Sequence, residues 1–294
     1  MEDPRYPIYV LSKGRYERCT TAKFLQRDGV PFNLVVEDHE KDEYAKRFGV
    51  DRVLVLPPES TGHGAIPVRN WLWQHSIDQG AERHWVLDDN MNTTYRLFKG
   101  KRVPCNSRPA FRVCEDFTDR YENIGISGLN YSFAIPWTLP AYYLNVHVYS
   151  FMLIRNDLPY RWRGEWNADT DLCLQVLSGG LCTVLLNAFM TAKGRTMRAK
   201  GGNTERYAGD GRLRMARALE RQWPGVVETR RKFGRPQHYI KKNWRMFDTP
   251  LKPKPGLKIE DKGEYGMKIV ERKEVKSQRI KDLMADYNKR HEND

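Results

Sequence analysis

The feature that most constrains this chain is a rhythm. Over its first ninety residues, short apolar runs alternate with helix-length amphipathic segments, and Gly or Pro stands at most of the joins. Pro7-Ile8-Tyr9-Val10-Leu11 reads as a buried strand, residues 20–28 as a helix closed by Gly29, and Phe32-Asn33-Leu34-Val35-Val36 as a second strand. Residues 40–48 read as a second helix closed by Gly49, and Arg52-Val53-Leu54-Val55-Leu56 as a third strand ended by Pro57-Pro58. Residues 66–79 read as a third helix stopped by Gly80, after which a fourth strand covers 84–87. Such alternation commits a chain to βαβ units and a sheet whose core is parallel.

That fourth strand ends abruptly, as Trp85-Val86-Leu87-Asp88-Asp89-Asn90. Ligands of open α/β sheets bind outside the carboxyl ends of the strands. Two adjacent carboxylates there repel each other unless a cation lies between them, and a divalent metal carrying a phosphorylated substrate satisfies that need. An Asp/Asn turn fits the same three residues.

Beyond Asn90 the rhythm breaks. Residues 93–114 read as irregular or as a hairpin, 115–123 as a short helix, and 125–133, with Gly128 and Asn130, as a strand and loop that approach a ligand closely. A strand is expected within 143–154, an amphipathic helix over 168–178 closed by Gly179-Gly180, and a strand over 181–186. From about residue 206 the chain turns basic and mainly helical, with helices expected over 211–222 and 275–290. The expected organisation is a catalytic-sized domain over 1–205 and a basic C-terminal extension over 206–294.

The formal net charge of +13 points to a polyanionic partner, nucleic acid ahead of an anionic membrane surface. Five cysteines without a C-x-x-C pair suggest neither a zinc site nor a disulfide framework, and fit reduced thiols in a cytoplasmic protein. No signal peptide or membrane-length apolar run is expected.

Several clusters could serve chemistry at the strand ends. Ser12-Lys13-Gly14-Arg15 follows the first strand and suits a phosphate or nucleotide, though an ordinary βα loop has the same composition. Glu37, ending the second strand, could accept hydrogen bonds from a base or ribose. Arg69-Asn70 on the third helix could clamp a diphosphate. Glu165, Asp169 and Asp171 flank the start of the 168–178 helix; one could be a general base, while Asp169 or Thr170 could simply cap the helix and Asp171 favour its first turn. Lys193, Arg195, Arg198 and Lys200, followed by Gly201-Gly202-Asn203, have the composition of a loop that closes on phosphates or contacts nucleic acid.

Taken in order, Pro7-Ile8-Tyr9-Val10-Leu11-Ser12-Lys13-Gly14-Arg15, Val35-Val36-Glu37, Arg69-Asn70-Trp71, Asp88-Asp89-Asn90, Asn167-Ala168-Asp169-Thr170-Asp171-Leu172 and Gly201-Gly202-Asn203 resemble the TET-associated glycosyltransferase family, over roughly residues 6–205. Phage members of that family are thought to glycosylate 5-hydroxymethylcytosine in DNA. The resemblance implies a GT-A-like (Rossmann-like) α/β fold: a mixed sheet flanked by helices. It implies a UDP-sugar donor, most simply UDP-glucose, and Mn²⁺ or Mg²⁺ held by Asp88, Asp89 and Asn90. Ser12, Lys13, Gly14, Arg15, Glu37, Arg69, Asn70, Asp88, Lys193, Arg198, Gly201, Gly202 and Asn203 would then surround the donor. The family pattern carries an acidic residue near position 168, which is Ala here, so the base stays open between Asp169, Asp171 and Glu165. The acceptor would be double-stranded DNA carrying 5-hydroxymethylcytosine, with Trp137, Tyr142 and Trp166, and also Tyr143 and Trp162, offering stacking faces. A glycosyltransferase acting on protein or polysaccharide, or an inactive nucleic-acid-binding module, are the alternatives.

Overall fold

The computed structural model describes residues 2–98, 101–134, 140–193, 209–232 and 234–257. Four parallel strands form one half of a large sheet: β1 (Ile8–Leu11), β2 (Asn33–Val36), β3 (Val53–Val55) and β4 (Arg83–Asp88), in the spatial order β3-β2-β1-β4. Helices α1 (Thr20–Arg27), α2 (Lys41–Phe48) and α3 (Ala65–Asp78) make the crossovers. The expected elements of the first ninety residues are all present, with ends displaced by a residue or so.

Alternation along these strands explains why the sheet must be covered on both faces. Ile8, Val10, Leu34, Val36, Trp85 and Leu87 enter one apolar cluster, with Phe24 and Leu25 of α1 and Tyr44 and Phe48 of α2. Tyr9, Val35 and Val86 point the other way, into a second cluster with Leu72 and Trp73 of α3. Successive side chains of a strand face opposite sides, so a continuous apolar run is a strand buried twice.

The second half is antiparallel or mixed. A hairpin of β5 (Met91–Phe98) and β6 (Lys101–Cys105) precedes α4 (Ser107–Thr118), and β7 (Ile124–Tyr131), β8 (Tyr142–Leu144) and β9 (Phe151–Arg155) precede α5 (Ala168–Ser178) and β10 (Cys182–Lys193). The sheet continues β4-β9-β7-β10-β5-β6, with β8 also on β10. Strand β9 runs antiparallel to both β4 and β7, whereas β7 and β10 are parallel. This is the mixed, helix-flanked α/β sheet expected of a GT-A-like fold.

Three local expectations need correction. The helix placed at 115–123 begins earlier, at Ser107, because the Asn106 side chain accepts the Arg108 amide at 2.9 Å and caps it. Ala110, Phe111, Cys114 and Phe117 supply its buried stripe. The apolar stretch 143–154 is two strands, since Asn145 and Ser150 adopt left-handed φ values of 54° and 58° and break it.

The C-terminal segment is the third correction. Helix α6 (Gly211–Gln222) forms as expected, but an antiparallel hairpin, β11 (Val227–Lys232) and β12 (Arg235–Ile240), follows it in place of further helix. The many basic residues hide a strand pattern whose inward residues include Val227 and Ile240. Both join Leu219 and Trp244 in the second core cluster. The chain then returns along α4 and β7, where Pro253 bridges Tyr121 and the Lys252 carbonyl accepts the Glu122 amide. The helix expected over 275–290 lies outside the described residues. All five cysteines are free thiols, and no described helix is long and apolar enough to cross a membrane.

Candidate active site

The carboxyl ends of β1, β2 and β4 meet the last residue of β10 and the start of α5, and ionic side chains converge there. Asp88 closes β4. Its Oδ2 accepts from the Ser150 hydroxyl at 2.6 Å and from Lys193 Nζ at 2.8 Å. Arg69 of α3 lies 3.6 Å from its Oδ1 and reaches 2.5 Å to Asp169 at the start of α5. Burial works to raise the Asp88 pKa, but the charges of Lys193 and Arg69 and the hydrogen bonds from Lys193 and Ser150 outweigh it and hold the carboxyl at about 2. The same pairing raises the Lys193 ammonium above the usual lysine range against the opposing effect of burial.

Second-layer contacts aim these groups. The Arg69 guanidinium lies over the Trp162 ring, 4.3 Å from its centroid. Asn70 fixes that tryptophan by donating to the Trp162 carbonyl at 2.9 Å and accepting its amide at 3.0 Å. The Ser150 hydroxyl, set by its left-handed backbone, also accepts from Lys193 at 2.7 Å and from the Tyr131 hydroxyl at 2.8 Å. Ser150 and Tyr131 escaped the sequence reading: nothing in the residue types marks a lone serine after an aromatic stretch, and the positive φ is not visible in sequence.

Asp89 plays a different part from Asp88. It is buried, its Oδ1 accepting from Arg15 at 2.7 Å and its Oδ2 from Ser12 at 3.0 Å. Burial is the largest influence on its carboxyl and raises its pKa, despite Arg15. Thr21 of α1 donates to the Asp88 carbonyl at 2.6 Å and accepts the Met91 amide at 2.9 Å, so the acidic turn is tied to the first crossover helix. Beside it, Lys13 donates to Glu37 at 2.6 Å, the Gly62 amide donates to the same carboxylate oxygen at 3.1 Å, and the Gly14 amide donates to Glu40 at 2.5 Å. Gly14 has a φ of +64°, a conformation glycine adopts without strain. Burial acts to raise the Glu37 pKa, yet Lys13 and the Gly62 amide bring it below the usual carboxylate value. Glu40 is a further site residue that sequence reasoning missed, because it was absorbed into the second helix.

Other expected site residues lie elsewhere. Asp171 is fully buried and saturated: Arg163 approaches at 3.0 Å, Gln175 donates at 2.7 Å and Trp223 Nε1 at 2.6 Å. It locks α5 to α6 and leaves no open oxygen for a substrate. Glu165 is exposed in the loop before α5. Tyr142 is partly buried and packs on Phe117, with centroids 4.8 Å apart; Trp162 is taken up beneath Arg69. Trp166 is half-buried. Trp137, Arg198, Gly201, Gly202 and Asn203 lie outside the described residues.

A divalent metal can be tested against the donor set. Among the described residues no three His, Cys, Asp or Glu side chains assemble a protein-only metal site. Three carboxylates, Asp88, Asp89 and Asp169, face three cations, Arg15, Arg69 and Lys193, so the cluster is nearly neutral before any donor arrives. A diphosphate would add negative charge that a divalent cation could balance. Among the described residues, Asp88 Oδ1 makes only the long Arg69 contact, and the buried Asn90 Oδ1 has no hydrogen-bond partner. Mg²⁺ is commonly held by one or two carboxylates together with substrate phosphates. The residues fit a cation shared between Asp88 and a diphosphate; Asp89 is committed to Arg15.

Comparison with curated proteins gives no match. A profile of the family described as TET-associated glycosyltransferase matches residues 6–202, which span β1 to β10 and every residue of the ionic cluster. The chain belongs to the TET-associated glycosyltransferase family.

Proposed function

We propose that this glycosyltransferase moves a sugar, most simply glucose, from a UDP-sugar to the hydroxyl of 5-hydroxymethylcytosine in double-stranded DNA. The observation that carries the donor half is the ionic cluster of Asp88, Arg69, Lys193 and Asp169 at the carboxyl rim of the sheet. The acceptor half is supported by the net charge of +13.

Each side chain then has a task. Lys13, Glu37 and the backbone of Gly14 border the nucleotide. Asp88 Oδ1 would share Mn²⁺ or Mg²⁺ with the diphosphate. When bound, that cation supplies positive charge against the departing UDP. Arg69 and Lys193 add fixed positive charge beside the same oxygens, where charge grows as the sugar–phosphate bond breaks. Asp169 takes the proton of the acceptor hydroxyl. Among the described residues only Arg69 hydrogen-bonds it, leaving one carboxylate oxygen open. In a single displacement the hydroxyl oxygen bonds to the anomeric carbon as its proton passes to Asp169. The bonding pair leaves with the UDP phosphate oxygen, and the anomeric configuration inverts.

The test offers UDP-sugars, with Mn²⁺ or Mg²⁺, to duplexes carrying cytosine, 5-methylcytosine or 5-hydroxymethylcytosine. Transfer confined to the hydroxymethylated duplex supports the reading. Hydrolysis of UDP-sugar without transfer to any DNA would move the acceptor to protein or polysaccharide.

A further inference from the structure

A cavity of about 360 Å³ opens between α5, α6 and the β11–β12 hairpin, and no step above uses it. Its size lies at the small end of the roughly 300–1,000 Å³ typical of ligand pockets. One wall is aromatic: the rings of His147 and Tyr149 stack with centroids 4.4 Å apart, and Trp244 lies beyond, 5.8 Å from His147. Asn167, Gln237 and His238 contribute polar groups to the lining. Asn167 adopts a left-handed φ of 53° and is anchored through its amide to the Met215 carbonyl at 2.9 Å.

Two observations join this cavity to the donor cluster. Tyr149 immediately precedes Ser150, whose hydroxyl donates to Asp88. Its own hydroxyl meets Thr170 at 2.9 Å, and Thr170 in turn lies 3.4 Å from His238 Nε2. Thr170 is the residue after Asp169, so the lining residues Tyr149 and His238 are joined through it to the first turn of α5. Burial lowers the pKa of both His147 and His238 to about 4, so at neutral pH each offers an uncharged ring, with one donor and one acceptor nitrogen. The rim is of opposite character: Arg212 and Lys232 line the mouth, and Arg231 and Arg235 stand exposed on the hairpin beside it.

An aromatic wall, uncharged hydrogen-bonding groups and cationic side chains match one ligand chemistry: a nucleobase with its flanking phosphates. We propose that this cavity is the acceptor pocket, and that it receives a single pyrimidine swung out of the duplex, with the C-terminal hairpin gripping the backbone on either side. The inference rests on the DNA-acceptor reading above. It also gives the C-terminal segment a function, because α6 and the hairpin lie beyond the 6–202 family match yet form much of the pocket. Enzymes that act on a base within a duplex commonly extrude it, and the cost is least where the base is already unpaired.

The experiment measures steady-state transfer from UDP-sugar to hydroxymethylated DNA. His238→Trp, which places a larger ring on the inward face of β12 that lines the cavity, should raise the KM for DNA, or lower the transfer rate, by about tenfold or more, with the KM for UDP-sugar shifted less than about twofold. In the wild type, a duplex whose 5-hydroxymethylcytosine faces a mismatched base should show a KM about tenfold lower than the paired duplex. This second arm does not depend on the variant folding. A wild type that transfers to DNA but treats mismatched and paired sites alike would overturn extrusion, and unchanged acceptor kinetics in a folded His238→Trp would overturn the pocket. A wild type that transfers to no DNA would overturn the parent reading and this one together.

Discussion

Replacing Lys193 by Met removes one charge from the donor cluster and keeps most of the side-chain volume. In the wild type the ammonium sits 2.8 Å from Asp88 and 2.7 Å from Ser150, with 16% of its side chain exposed. Lys193 and Arg69 hold the Asp88 carboxyl well below its ordinary value of 3.8, so its ionised form stabilises the folded state. Breaking a buried ion pair by removing one partner typically costs about 3–5 kcal/mol. Arg69, 3.6 Å from the other oxygen, keeps partial compensation, so a loss of about 2–3 kcal/mol at pH 7 is expected. A carboxylate depressed in the folded state stabilises above its unfolded pKa and loses that contribution as pH falls through the folded value. The gap between wild type and Lys193→Met in urea unfolding should therefore be full at pH 5–7 and shrink as pH falls from about 4 towards 2. Turnover should drop by about 10²–10³-fold, the usual effect of deleting one fixed donor at a developing anion. An equal stability gap at pH 7 and pH 2.5, or wild-type turnover, would refute the reasoning.

Asp169→Asn should lower kcat by about 10²–10⁴-fold and leave UDP-sugar affinity near wild type; unaltered kcat, or a product with the donor's own anomeric configuration, would remove Asp169 as the base. Asp89→Ala removes the carboxylate that pairs with Arg15 and accepts from Ser12 and should cost about 1–3 kcal/mol in chemical denaturation, whereas a cost below about 0.5 kcal/mol would contradict its locking role. Gly128→Ala places a methyl against the Phe151 carbonyl and Val148, where β7 meets β9, and should destabilise by about 1–3 kcal/mol; a neutral melting temperature would show that the strands can part. DNA affinity should fall steeply between 50 and 200 mM salt, and a flat response would take charge out of the acceptor argument.

Legibility differed sharply along the chain. Strands β1, β2 and β4 are short runs buried on both faces, β3 is a partly buried edge strand, and their helices are closed by Gly29, Gly49 and Gly80, so local chemistry and final fold agree. Asp88 could be placed at the carboxyl rim because its strand is the fourth of a regular series. The partners that define its chemistry come from far along the chain: Ser150 and Lys193 lie 62 and 105 residues away. No local pattern could show that Asp169 faces Arg69 while Asp171, two residues on, faces Arg163 and Trp223. On a helix, positions two apart point to different sides, and only the packed neighbours say which side is the site. The hairpin β11–β12 was hidden for another reason: its outward residues are mostly cationic, and only Val227 and Ile240 are buried.

Asp88 is proposed as the donor half of a sugar-transfer site. Its most direct test compares wild type with Asp88→Asn on the best UDP-sugar and hydroxymethylated duplex, reading sugar-modified nucleoside by mass spectrometry and DNA affinity in parallel. Asp88→Asn should lose transfer and retain DNA binding. Transfer by Asp88→Asn at the wild-type rate would contradict it.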